Sequence, residues 1–387
     1  MNLVSIEPTP SPNTMKLNLD KALPKGRSLT FTRKQRDNAP GYIQQLLDIP
    51  GVTSVFQVAD FIALDRSPKG DWKQILTQAR ELLGSGGSQA SLPGEDEAGS
   101  GFGEVKVLLQ TFRGIPMQIR VNAGGEEARA ALPERFTQAA MKATENSPHL
   151  LKERKLQELD VRYGELQDVL NEVVQEVDAS YDDKRLSLLT EQAAQGLSEA
   201  DYAEAQRPAE LTEEEIGRLL DDPDWKKRYA ALQSIKAAPR TLPLLAKALG
   251  DEKTSVRRLA TVYLGDIKEP EVLPYLFQAL EDRTPAVRRT AGDTLSDLGD
   301  PAAVPAMATA LKDPNKLVRW RAARFLYEVG DDSCLEALRE AADDPEFEIS
   351  MQVQMAIARI EGGHAAEGSV WQQMTRSRQG SDAPKQD

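Results

Sequence analysis

The chain has 387 residues, 40% hydrophobic and 28% charged, with 61 acidic against 48 basic side chains and a formal net charge of -13. That length allows two or three domains with real cores, and the acidic balance argues against non-specific nucleic-acid binding, which needs a basic footprint to replace counterions. One cysteine, Cys334, and two histidines, His149 and His364, exclude an intrachain disulfide framework and any intrachain multi-Cys zinc or iron–sulfur site.

The opening MNLVSIEPTPSPN lacks the positive n-region and apolar core of a signal peptide. No run approaches the roughly 20 apolar residues of a membrane span. A cytoplasmic location is the resulting expectation, with no membrane partner.

Residues 1–83 read as a small α/β domain. Leu3–Ile6, Met15–Leu19 and Ser28–Thr32 have strand character. Ala39-Pro40 opens a helix through Leu47, and Pro50-Gly51 turns into a hairpin of Val52–Phe56 with Asp60–Leu64. Asp71 is suited to cap a helix over Trp72–Leu83. The Gly/Ser-rich stretch 84–103 reads as a flexible linker.

A small α+β domain is expected over 104–180. Glu104–Leu109 and Met117–Val121 flank Arg113-Gly114-Ile115-Pro116 as a β-hairpin. A helix is expected from about Glu126, interrupted near Pro133. Between Leu150 and Val177, Leu156, Leu159, Tyr163, Leu166, Val169, Leu170, Val173 and Val177 fall at steps of three and four, one helical stripe. Residues 181–210 read as a polar helical connector, and 364–387 as a disordered tail.

From 211 to 363 the sequence repeats, which predicts an all-α solenoid. Asp251, Asp282, Asp313 and Asp344 are 31 residues apart, as are Val256, Val287, Val318 and Ile349. Ala260, Ala291 and Ala322 keep the step, as do Pro243, Pro274 and Pro305. Asp222 opens an earlier unit with a shorter inter-helix loop. Each unit predicts two helices, and one such hairpin cannot bury its apolar face without neighbours.

The motif Ala286-Val287-Arg288-Arg289-Thr290-Ala291, with Leu298-Gly299-Asp300-Pro301, resembles the phycobilisome-lyase type of HEAT repeat. That resemblance implies a fold shared by adaptors, chromophore lyases and a di-iron hydroxylase. The hydroxylase depends on His-Glu pairs within its repeats, and residues 211–363 contain no histidine. The stretch Pro8-Thr9-Pro10-Ser11-Pro12-Asn13-Thr14-Met15-Lys16 resembles the signature of the NifU-like (Nfu) N-terminal domain. Ile49-Pro50-Gly51-Val52, Asp60-Phe61-Ile62 and Trp72 fall where that family has them. Of these, Pro10, Pro12, Asn13, Thr14, Lys16, Asp60 and Phe61 are the signature residues. Full Nfu proteins hold an iron–sulfur cluster on a Cys-x-x-Cys pair in a separate domain, and this sequence has no such pair. Taken together, an Nfu-like domain, the Phe112–Met117 hairpin and a terminal HEAT array are similar to the conserved virulence factor C family of Gram-positive bacteria, which implies a regulatory or scaffolding protein.

Two roles are open to Arg257, Arg288 and Arg319, which recur with the repeat: a basic stripe for an acidic partner, or an Asp–Arg ladder between units. The ladder is favoured because both charges recur together. Trp320 stands where Arg258 and Arg289 stand in earlier units. It is either an exposed binding anchor or a filler of a packing gap. Lys25, Arg27, Arg33, Lys34 and Arg36 read as a solvated loop before an interaction patch. Cys334 reads as a structural thiol. No nucleophile motif, phosphate loop or metal-ligand spacing is present.

The chain is therefore expected to be a non-enzymatic interaction protein that binds protein partners through the HEAT array, with no cofactor. The alternatives are an accessory role in iron–sulfur cluster biogenesis through the first domain and, lowest, a lyase-type enzyme.

Overall fold

The computed structural model describes residues 2–9, 11, 13–24, 27–67, 70–84, 104–123, 126–144, 153–195 and 210–363. The stretch 85–103 expected as a linker, the tail from 364, both histidines, Lys25, Pro10 and Pro12 lie outside the described residues. The described parts of Met1–Glu104 and Gly299–Asp387 form one compact unit, and those of Val105–Leu298 form a second.

In the first unit, five strands form an antiparallel sheet in the order β1-β2-β5-β4-β3: β1 Leu3–Pro8, β2 Thr14–Leu19, β3 Ser28–Thr32, β4 Val52–Val58 and β5 Phe61–Arg66. Strand alternation buries Met15, Leu17 and Leu19 on β2, and Ile62, Leu64 and Arg66 on β5. An arginine thus occupies the core-facing register. Helices α1 (Gly41–Asp48) and α2 (Trp72–Leu83) contribute Ile43, Leu46, Leu47, Trp72, Ile75 and Leu76 to the same core. Asp71 caps α2, its carboxylate accepting from the Lys73 N–H at 2.8 Å.

The second unit begins with another antiparallel sheet: β6 Glu104–Phe112, β7 Ile115–Ala123, β8 Glu126–Ala131, β9 Arg154–Glu158 and β10 Arg162–Tyr163, ordered β10-β6-β7-β8, with β9 also on β6. Helices α3 (Glu134–Thr144), α4 (Leu166–Ser180) and α5 (Asp183–Ala194) cover it. The structure corrects three expectations here. The helix expected from Glu126 is strand β8, because its backbone completes a ladder with β7, Val121 opposite Ala128. That pairing overrides the helical preference of its Ala and Glu residues. The stripe from Leu150 is helical only from Leu166. Leu156 lies in β9, opposite Gln110, since a three-to-four spacing also fits two short strands. The domain does not end at 180: Leu186, Leu189 and Ala193 of α5 are in its core.

The repeat helices follow. In the second unit these are α6 (Glu213–Leu219), α7 (Trp225–Gln233), α8 (Leu242–Leu249), α9 (Thr254–Asp266), α10 (Leu273–Leu280) and α11 (Pro285–Leu298). The first unit carries α12 (Val304–Ala310), α13 (Lys316–Val329), α14 (Leu335–Glu340) and α15 (Phe347–Glu361). The first helix of each repeat packs on the next: α7 on α9 and α9 on α11 in one unit, α13 on α15 in the other. Val256, Ala260 and Leu264, then Val287, Ala291 and Leu295, form the repeating core, all fully buried. Pro239, Pro270 and Pro301 open short 3-10 turns ahead of the second helices, at positions whose N–H has no helical partner to lose.

Candidate protein-interaction site

The recurrent arginines are rungs between repeats. Arg228, Arg257 and Arg319 turn Nε to the aspartate of the following unit: Asp251 at 2.7 Å, Asp282 at 2.6 Å and Asp344 at 2.7 Å. Each also donates Nη1 to the carbonyl of its own unit's aspartate, and Arg288 donates to Asp282 in the same way. Burial pushes the Asp282 carboxyl up, but hydrogen bonds from Arg257 and Thr284 hold it below the usual range. The guanidinium fork suits this task because it serves a carboxylate and a carbonyl together. At the equivalent place in α15 stands Ser350, which bonds the Ala342 carbonyl instead, so the ladder ends there.

One position further along each first helix stand Tyr229, Arg258 and Arg289 in the second unit, and Trp320 and Met351 in the first. Of the two roles the sequence leaves open for Trp320, it does not have that of an exposed anchor, because the residue is 2% exposed. In each unit a sheet domain of the chain packs against one of these positions. In the second unit, Arg258 Nη2 lies 3.1 Å from both oxygens of Glu176 on α4. Arg162 of β10 reaches the same carboxylate at 2.9 Å. The Arg289 guanidinium sits over the Tyr163 ring, 4.2 Å from its centroid. Lys226 pairs with Asp178 at 2.5 Å, and α4 packs on α7, where Tyr229 is buried. Burial pushes Glu176 up, but Arg258 and Arg162 pull it below the usual glutamate range.

In the first unit, Met351 and Phe347 of α15 pack against the core of the N-terminal domain. Glu348 reaches Arg66 Nη1 at 2.5 Å, with both side chains buried. The Nfu-like signature residues serve this region and the sheet. Asn13 accepts the Arg66 N–H at its carbonyl and Nε at Oδ1, at 2.9 and 3.4 Å. Thr14 donates to Asp65 at 2.6 Å, Lys16 lies over the Phe61 ring, and the Asp60 carbonyl accepts from Leu19.

Of the basic cluster, Arg36 clamps Asp48 and Arg33 donates to the Ile49 carbonyl. Cys334 is buried, its thiol donates to the Asp331 carbonyl, and burial pushes its pKa up. That environment disfavours a thiolate ligand. Among the described residues no group of three or more His, Cys, Asp or Glu is placed to hold a metal ion, and no helix is long and apolar enough to cross a membrane.

Arg66, Arg162, Glu176 and Glu348 were not singled out in the sequence. The signals available were the column beside the recurrent arginines, filled by large side chains, and an acidic residue set into the apolar stripe of α4.

These features define a class: a HEAT-repeat protein whose own sheet domains dock on the first helices of the repeats. Residues 4–88 match the family described as scaffold protein Nfu/NifU N terminal, 110–190 the virulence factor family, and 214–284 with 273–358 the HEAT repeats. The chain is 54% identical to YpgR of Bacillus subtilis (strain 168), over 98% of this chain and 99% of that one. It is 48% identical to conserved virulence factor C of Staphylococcus aureus (strain MRSA252), over 97% and 99%. The chain belongs to the conserved virulence factor C family. A crystal structure of protein SAV1430 from Staphylococcus aureus, 33% identical, covers 22% of this chain and all of its own, with a TM-score of 0.21.

Proposed function

We propose that this protein is a non-enzymatic scaffold that binds a protein partner through its HEAT array, with the column Tyr229, Arg258 and Arg289 of the second unit as the binding face. One observation carries the reading: that column already holds protein, α4 at Arg258 and Tyr163 of β10 at Arg289. Its arginine and tyrosine side chains are those that anchor protein contacts. A partner would gain the column by displacing one of the chain's own domains, as population shift requires when two occupants share a face.

Affinity capture from the native cell with the full chain tests this. Wild-type protein is expected to retain a defined partner, and Arg289→Glu to retain much less of it. A partner held equally by both, or none at all, overturns the proposal.

A further inference from the structure

Arg66 lies on the core-facing register of β5 and is 5% exposed. Its surroundings are nearly all supplied by the N-terminal domain. The Asn13 carbonyl and Oδ1 fix its backbone N–H and Nε, and the Gly70 carbonyl accepts Nη1 at 2.9 Å. The Trp72 ring lies 5.1 Å from the guanidinium carbon, close enough for cation–π attraction. The loop that presents Gly70 is tied in place. Ser67 N–H donates to the Gly51 carbonyl at 2.7 Å, and Gly70 N–H to the Ser67 carbonyl at 2.8 Å. Gly51 has φ +94°, and a Cβ there would stand 3.0 Å from the Gly70 Cα. Asn13, Gly51 and Trp72, three residues that carried the Nfu-like resemblance, therefore converge on one arginine.

The pocket is built, but among the described residues of the domain no carboxylate bonds its cation, and Asp71 acts on it only through space. One carbonyl, an amide oxygen and an aromatic face solvate a guanidinium only in part, and a desolvated charge needs a counter-ion. Glu348 supplies that carboxylate from α15. Phe347 and Met351, at the preceding and third-following positions, lie on the same domain's core. Burial pushes the Glu348 carboxyl up and the Arg66 guanidinium down. Each charge thus offsets part of the other's cost of burial, and set against that cost the pair adds little net grip. A contact of this kind is exchangeable.

We propose that the N-terminal domain is a helix-reading module: its Arg66 pocket recognises a glutamate with apolar neighbours at the preceding and third-following positions. It holds α15 of its own chain in this way. When that contact opens, it takes an external acidic amphipathic helix with the same spacing. The occupant's chemistry is read from the segment seated there, and helix-in-groove recognition by spaced anchors has the same form. The proposal does not depend on the repeat array having an external partner.

A fluorescent peptide of residues 343–363, titrated by anisotropy into the full chain, is the test. It is expected to bind Glu348→Lys protein, whose own latch is open, at least 10-fold tighter than wild type. The Glu348→Ala peptide is expected to bind that variant at least 10-fold more weakly than the native peptide. Adding Arg66→Met to the chain should abolish the difference between the two peptides. If Glu348→Lys does not fold, Glu348→Ala in the chain opens the same pocket without a like charge. Equal binding of the native and alanine peptides, equal binding to closed and opened chains, or no binding at all overturns the proposal.

Discussion

Glu176 keeps its charge in a place where burial alone would remove it. It is 3% exposed, yet Arg258 and Arg162 hold its pKa below the usual value. A lowered folded pKa means that the carboxylate's contribution is in force above the unfolded value of about 4.3 and is lost as the pH falls through the folded one. Urea midpoints measured from about pH 6 down to about pH 3 are therefore expected to fall more steeply for wild type than for Glu176→Gln. Parallel slopes would remove Glu176 from the acid response. Trp320 belongs to the same scale. A large, fully enclosed ring leaves a cavity when truncated, so Trp320→Ala is expected to cost about 3–5 kcal/mol in chemical denaturation. A loss below about 1 kcal/mol would be that of an exposed side chain.

Between elements, the arginine ladder does two jobs with one side chain. Arg257 closes the turn after its own aspartate and fastens Asp282 of the next repeat. Nearest-neighbour contacts of this sort set the stability of a repeat array. Removing the arginine leaves a half-buried carboxylate with only Thr284 to satisfy it, so Arg257→Ala is expected to lower stability by about 1–3 kcal/mol. A change of a few tenths would show that the rung is replaced by solvent. Helix α9 approaches α11 through Gly265, where a Cβ would meet Thr294 Cγ2 at 2.7 Å. A β-branched side chain in a helix has few rotamers with which to retreat. Gly265→Ala is therefore expected to destabilise by about 1–3 kcal/mol despite its better helix propensity. Pairing it with Thr294→Ala should recover most of that loss. No recovery in the double variant would place the strain elsewhere.

For the whole molecule, the consequence is that the repeats do not stand alone. The second unit combines α4 with α7 and α9, and the first combines the N-terminal domain with α15. Each is a compact body in which sheet and repeat share buried charge, so perturbing one seam should leave the other intact. In hydrogen exchange, Glu348→Lys is expected to speed exchange in α2 and α15 while α4 stays protected, and Glu176→Lys to do the reverse. Exchange rising in both units for either variant would mean that the two seams open together.

The sequence by itself determined what is periodic or local. The 31-residue step located the repeats and paired each arginine with an aspartate, because both charges recur in one register. The Asp71 cap, the hairpins and the N-terminal signature were legible for the same reason: their residues lie within a few positions of one another. Only the tertiary structure decided what covers the first helices. Glu176 and Arg258 are 82 residues apart, and no periodicity links a carboxylate in one domain to a guanidinium in another. Strand β8, paired with its neighbour β7, and the start of α4, set by the pairing of β9 with the more distant β6, depended on sheet pairing that outweighed local propensity. Trp320 and Arg66 show the limit most plainly. Neither declares its burial in its neighbourhood of the sequence: Trp320 is enclosed by the fold, and Arg66 is met by Glu348 from a helix far along the chain.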